Sequence, residues 1–212
     1  MSNINVINNA EKDINVTINK NEDKIEIVID LASKDFKLPN SLKAGDIFKD
    51  KDGDEYILLY YLSNGDAAVF KKDSLKDMDF GDNNDYKGCN IDKYLCNEYL
   101  PQLERKFGSN NIVGHEVDLL SLDGEDDYGK ITRMVSLLTL DEYRHSKKAI
   151  KGYINNWFWL CTPDSTPSGY SSDGVCFVFL DGSVSFNWYG SYKAVHPRFV
   201  LKSSVFVNER GE

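Results

Sequence analysis

The sequence predicts an α+β fold, a twisted antiparallel sheet carrying two helices, preceded by a separate β-hairpin. Three observations predict it. Apolar and polar residues alternate near the N-terminus and again in short runs toward the C-terminus, the period of half-buried strands. Two stretches between them look helical, one by apolar spacing and one by composition and a capping residue. Glycine-containing turn signals separate the strand candidates at short intervals.

In chain order, Ile14, Val16 and Ile18 alternate with polar residues, and Ile25, Ile27 and Ile29 do so again across the polar turn 19–23. Residues 1–41 therefore read as a hairpin followed by a linker, Lys34 to Ser41, punctuated by Pro39. One hairpin is marginal in water. This one is expected to pack on the body, attach the domain to a particle, or pair with copies of itself as a trimer. The main unit, 42–212, opens at Leu42 and passes through the turn Asp52-Gly53 to a strand from Glu55 to Leu62. Asn64-Gly65 is a strong hairpin signal, and Ala67 to Phe70 supplies the returning strand.

From Asn90 the period changes. Ile91, Tyr94, Leu95, Tyr99, Leu100, Leu103 and Phe107 repeat at helical spacing, with Gly108 as the stop. Asp118 to Tyr128 reads as an acidic loop. Ser136 to Leu140 reads as a strand entering a second helix, Asp141 to about Ile150, capped by Thr139 or Asp141. After Trp159 come strands at 175–179, 183–186 and 199–201, with turns at Asp173-Gly174 and Asp181-Gly182.

A chain of 212 residues suffices for one sizeable domain and a small appendage, or for two small domains. Its 25 Lys and Arg against 34 Asp and Glu give a net charge of −9. That excludes nucleic acid and anionic membrane as main partners, since both require concentrated basic charge. The first residues show no basic-then-apolar leader, and no apolar run reaches membrane-span length. Synthesis in a cytoplasm without a signal peptide is expected, with exit in a particle or by lysis, and no membrane insertion. Cys89, Cys96, Cys161 and Cys176 lack paired spacing and read as buried free thiols.

The candidate site is the polar-aromatic segment from Asp164 to Lys193, where Ser, Tyr, Asn, Asp and Gly dominate as they do in binding loops. It lies between Trp157-Phe158-Trp159-Leu160-Cys161-Thr162-Pro163 and Val195-His196-Pro197-Arg198-Phe199-Val200-Leu201. Trp157 and Trp159 are expected in the core beneath the loops. Arg198 is expected to tie a loop carbonyl or a carboxylate. His115, His145 and His196 are not at metal-ligand spacing, so no metal or other cofactor is expected. Cys161 or Cys176 with His196 is the one conceivable nucleophile–base pair, and nothing local supports it. Asp50 to Glu55 superficially suggests a calcium loop, but position twelve is Tyr61 rather than Glu. Asp123 to Asp127 reads as a solvated loop, with loose calcium binding as the alternative.

The two flanking blocks, with Gly45-Asp46-Ile47, the helix at 92–100 and Leu137-Leu138-Thr139-Leu140-Asp141-Glu142-Tyr143, resemble a domain family of unknown function common in phages and gut bacteria. Its hallmarks are a Trp-Trp-Leu-Arg-Ser-Pro-like block and a Gly-Val-Arg-Pro-like block. The resemblance covers roughly residues 42–207; Cys161 stands where the family has Arg, Pro197 and Arg198 are inverted, and no Trp starts the helix near Cys89.

That family is similar to C-type-lectin-like domains, including the variable proteins that phages diversify by a diversity-generating retroelement. The resemblance implies a non-enzymatic virion or adhesion protein that contacts a protein or glycan receptor on a host cell. Its implied ligand-binding positions are Tyr170, Ser171, Ser172, Asp173, Phe177, Phe179, Ser185, Asn187, Trp188, Tyr189, Ser191 and Tyr192. Two alternatives stand beside it: a capsid or tail accessory that binds only viral structural partners, and an enzyme of the formylglycine-generating type.

Overall fold

The computed structural model describes residues 14–21, 24–31 and 36–207. The predicted hairpin is present as β1 (Ile14–Asn21) and β2 (Lys24–Leu31), antiparallel with Val16 opposite Ile29 and Ile18 opposite Ile27. Turn residues 22 and 23, and residues 32–35 of the expected linker, lie outside the described residues. The rest of that linker belongs to the folded body. Phe36 meets the Phe107 ring edge-on at 4.7 Å, and β3 (Leu38–Pro39) pairs in parallel with the last strand of the chain.

The predicted meander follows as β4 (Ile47–Lys49), β5 (Glu55–Tyr61) and β6 (Ala67–Lys71). Gly65, at φ 85°, makes its second turn, a conformation that only glycine adopts freely. After β7 (Asp77–Asp79) comes the first helical stretch: α1 (Asn90–Tyr94), a π turn (Leu95–Tyr99) and α2 (Leu100–Phe107). The π turn has a local cause. Pro101 has no N–H for the Asn97 carbonyl, and the preceding Leu100 N–H reaches back five residues to Leu95. Gly108, at φ 88°, ends the helix where the sequence reading put its stop.

Four short strands come next: β8 (Ile112–Val113), β9 (His115–Asp118), β10 (Lys130–Arg133) and β11 (Val135–Ser136). The first three are absent from the sequence reading, although β9 alternates buried His115 and Val117 with exposed Glu116 and Asp118. The expected strand at 136–140 shrinks to β11, because Thr139 already caps the next helix. After α3 (Leu140–Ile150) come β12 (Phe158–Pro163), β13 (Gly174–Val178), β14 (Val184–Trp188), β15 (Tyr192–Ala194), β16 (Arg198–Leu201) and β17 (Phe206–Val207).

Two sheets organise the body. One has the order β11-β16-β6-β5-β4, with β8 also on β16; the other has the order β14-β13-β12-β15-β7. The central strands of both are buried on both faces. On one side Tyr56, Phe199, Trp159 and Phe177 pack with Leu103 and Phe107 of α2; on the other Ile57, Phe70, Phe158 and Cys176 pack with Tyr143 and Ile150 of α3. Two-sided burial explains why Tyr56 to Leu59 is a continuous apolar run rather than an alternation. The architecture is α+β, and among the described residues no helix is long and apolar enough to cross a membrane.

Charged side chains lock the elements together. The calcium-like turn at 50–54 encloses the protein's own cation: Lys106 of α2 bonds Asp50 at 2.7 Å, lies 3.3 Å from Asp52, and also meets Asp54. Burial opposes the Lys106 charge, but the hydrogen bonds it donates to these aspartates outweigh that cost and its pKa is raised. Asp92 takes a bidentate grip from Arg133, at 2.7 Å for each contact. Thr139 and Glu142 form a capping box on α3, and Arg198 of β16 donates to the second oxygen of Glu142. Arg198 thus meets the expectation of a carboxylate partner, one carried by a helix.

His115 and His196 are buried within these layers. His196 stacks on Phe70 at 5.3 Å and shares a hydrogen bond with the Lys71 carbonyl, while His115 contacts Ser136 at 2.9 Å. Burial pushes the pKa of His196 down to about 4; burial and then the nearby Arg198 push that of His115 down to about 2. Unfolded histidines protonate near pH 6.5, so below that the unfolded state binds more protons than the native state. Urea unfolding should therefore show stability falling as pH drops from about 6.5 toward 4, by up to roughly 1.4 kcal/mol per pH unit for each ring. A stability unchanged between pH 7 and 4.5 would contradict this burial.

Candidate functional site

The segment after β12 is held at both ends. Asp164 donates its N–H to the Gly174 carbonyl at 3.1 Å and accepts from the Asp123 N–H at 3.2 Å. Buried Asn84 donates to the carbonyls of Ser165 and Gly174, at 2.8 and 3.0 Å, clamping the two ends of the 165–174 loop. Tyr128 fixes Asn84 in turn, donating to its side-chain oxygen at 2.6 Å.

The acidic loop at 121–127 braces the same segment. Asp127 accepts from the Ser168 N–H at 2.8 Å and hydroxyl at 2.7 Å, and Asp123 accepts from Ser121 at 2.5 Å. Gly169 is required there, because a Cβ would lie 2.0 Å from the Ser165 hydroxyl oxygen. These carboxylates are hydrogen-bond acceptors for a loop, and no group of three or more metal-ligating side chains gathers among the described residues.

Between the 165–174 loop and edge strand β14 lies a hollow of 260 Å³. Its floor is Asp164, whose residue is 2% exposed. One carboxylate oxygen accepts from the Tyr170 hydroxyl at 2.9 Å, and the other has no partner among the described residues. Gly174 makes this possible, since a Cβ there would sit 2.5 Å from the Asp164 carboxyl carbon. The hydrogen bond to Asp164, then burial, raise the Tyr170 pKa to about 12. The walls are aromatic: Tyr170, Phe186 and Trp188 are 66%, 50% and 57% exposed. Trp188 lies over Gly190, where a Cβ would come within 2.4 Å of the indole, and beside Tyr189, with ring centroids 5.4 Å apart.

Of the expected ligand-binding residues, Tyr170, Ser171, Asp173, Asn187 and Trp188 line this hollow, and Ser172 is half-buried in the same loop. The others lie elsewhere. Phe177 is 3% exposed and belongs to the core, so it is not a contact residue. The pleat explains this: Phe177 and its partner Ser185 sit on the face opposite Cys176 and Phe186. Phe179, half-buried, meets Trp157 edge-on at 4.9 Å. Tyr189 is half-buried against the core, Ser191 donates its N–H to the Trp188 carbonyl, and Tyr192 is exposed on β15, across β12 and β13 from β14.

Trp157 also departs from expectation. It is 48% exposed, whereas Trp159 is fully buried with its indole N–H on the Met78 carbonyl at 2.9 Å. Trp157 precedes β12 at the margin of the sheet, where Phe177, Phe179 and the Lys193 ammonium approach its ring. Sequence reading missed Asp164 and Phe186 as site residues. Strict alternation with Trp188 could have found Phe186; nothing local marks Asp164, which is brought in by Gly174 across the sheet.

The cysteines do not combine with the histidine. His196 shares its Nδ1 hydrogen bond with the Lys71 carbonyl and its Nε2 has no hydrogen-bond partner among the described residues, so neither Cys161 nor Cys176 is bonded to it. Comparison of the chain with protein-family models, curated proteins and solved structures finds no match. Burial pushes the thiols of Cys89 and Cys176 up to about 12 and that of Cys96 to about 11, and holds Cys161 well above its ordinary value. Alkylation of the native protein near neutral pH should thus label half-buried Cys96 slowly and the other three only after unfolding. Rapid native labelling of Cys161 or Cys176 would reverse that assignment.

Proposed function

We propose that this protein is a ligand-binding component of a phage particle or adhesion apparatus, with a C-type-lectin-like domain that meets its receptor through the hollow between the 165–174 loop and β14. The observation that carries the reading is the exposure of Tyr170, Phe186 and Trp188 around one concavity. Large rings left in water forgo much of the stabilisation that burial gives, so three at one place favour a surface that is covered when a partner binds. Tyr and Trp bring large contact areas at low entropic cost, and Ser171, Asp173 and Asn187 add adaptable hydrogen bonding. The clamps at Asn84 and Asp127 favour the same reading, because a pre-ordered loop loses less freedom on binding. The resemblance of the Trp157 and Val195 blocks to the phage and gut-bacterial family supplies the biological setting.

The test is binding of labelled protein to a panel of gut-bacterial cells, comparing the parent with a Phe186→Ala, Trp188→Ala variant. Both rings are exposed, so stability should stay within about 1–2 kcal/mol of the parent. Cell binding should fall at least about tenfold, the scale of lost aromatic hot spots. A variant that binds cells as well as the parent would remove the hollow from the account.

A further inference from the structure

We propose that the hollow is a site for an organic cation, an ammonium or guanidinium group received by the Asp164 carboxylate when the Tyr170 hydroxyl moves off it. This rests on the ligand-binding reading above and names the chemistry of that site. The first support is the carboxylate itself. A buried acceptor oxygen without a donor is costly, and a carboxylate more so. Asp164 is 2% exposed, and among the described residues one oxygen is unpartnered and the other's side-chain donor is a tyrosine that is itself 66% exposed.

The second support is how the floor and gate are held. Backbone bonds to Gly174 and Asp123 fix Asp164, whereas most of the Tyr170 ring stands in solvent. Rotation of Tyr170 about its side-chain bonds would open the carboxylate without disturbing a packed core. The third is the character of the walls. Phe186 and Trp188 offer ring faces that attract cations. Asp164 and Asp173 are the charged residues lining the hollow, and no Lys, Arg or His lines it among the described residues. A neutral hydroxyl ligand would find hydrogen-bond acceptors here as well; two carboxylates in the lining, with no basic group there among the described residues, favour the cation.

The experiment is a titration of the ¹⁵N-labelled full chain with n-butylammonium and methylguanidinium, with 1-butanol and N-acetylglucosamine as neutral controls. The amides of Gly174 and Trp188 should shift with the cations and stay still with the neutral probes. Asp164→Asn should weaken cation binding at least about tenfold. Should that variant fail to fold, Tyr170→Phe still decides the matter: removing the competing hydroxyl should strengthen cation binding, which a purely structural Tyr170–Asp164 bond would not do. Glucosamine and a lysine-containing peptide amide then distinguish an amino sugar from a protein side chain as the source. Equal shifts with the neutral probes, no shift with the cations, or weaker binding by Tyr170→Phe would overturn the proposal. Cell binding that still depends on Phe186 and Trp188 would in that case preserve the receptor reading without the cation.

Discussion

The buried ion pair between Arg198 and Glu142 is the contact on which the other elements converge. Arg198 lies on β16, between β11 and β6 in one sheet; Glu142 is the third residue of α3. Their side chains are 5% and 16% exposed. The Glu142 oxygen that Arg198 does not take, Oε2, accepts the Thr139 N–H at 3.0 Å, completing the capping box. The next N–H, of Leu140, donates to the Thr162 hydroxyl on β12 at 2.9 Å, and Leu138 accepts from the Cys161 N–H. One guanidinium therefore fixes a helix start that is itself sewn to the second sheet. Burying two charges is expensive, and removing one partner leaves the other uncompensated, typically at several kcal/mol.

From that junction the candidate site follows by short steps. Thr162 sits two residues before Asp164, so the strand anchored to α3 delivers the carboxylate to the floor of the hollow. Gly174 closes the loop on the neighbouring strand, and its missing side chain leaves the space that the carboxyl fills. Register then sets Gly174 opposite Trp188 and Cys176 opposite Phe186. The aromatic walls are exposed because β14 is an edge strand and α3 packs farther along the same face. Rigid floor, braced loop and exposed rings are consequences of one pattern of strand pairing.

Much of this was legible in local sequence. The Asn64-Gly65 turn, the helical spacing ending at Gly108 and the Thr139 cap each depend on neighbours within a few residues, and each stands where expected. What could not be read depends on distant partners. Phe177 and Phe179 look like Trp188 in a list of aromatics, and the sheet alone decides that Phe177 is core. Trp157 and Trp159 look equivalent by alternation, yet Trp159 lies within β12 and Trp157 precedes it. The acidic turns have the composition of cation loops, but Lys106 comes from α2 to fill one, and Ser168 bonds the other. Asp164 is one Asp among many until Gly174 and Tyr170 are placed against it.

The most direct measurement is a double-mutant cycle at the junction, with urea unfolding of Arg198→Met, Glu142→Gln and the double variant. Each single change should cost about 3 kcal/mol or more by stranding a buried charge or polar group, and the double variant should cost clearly less than the sum. A coupling of at least about 1 kcal/mol is the predicted result. Losses that add within about 0.5 kcal/mol would mean that Arg198 and Glu142 act independently, and the junction would no longer explain how the site is held.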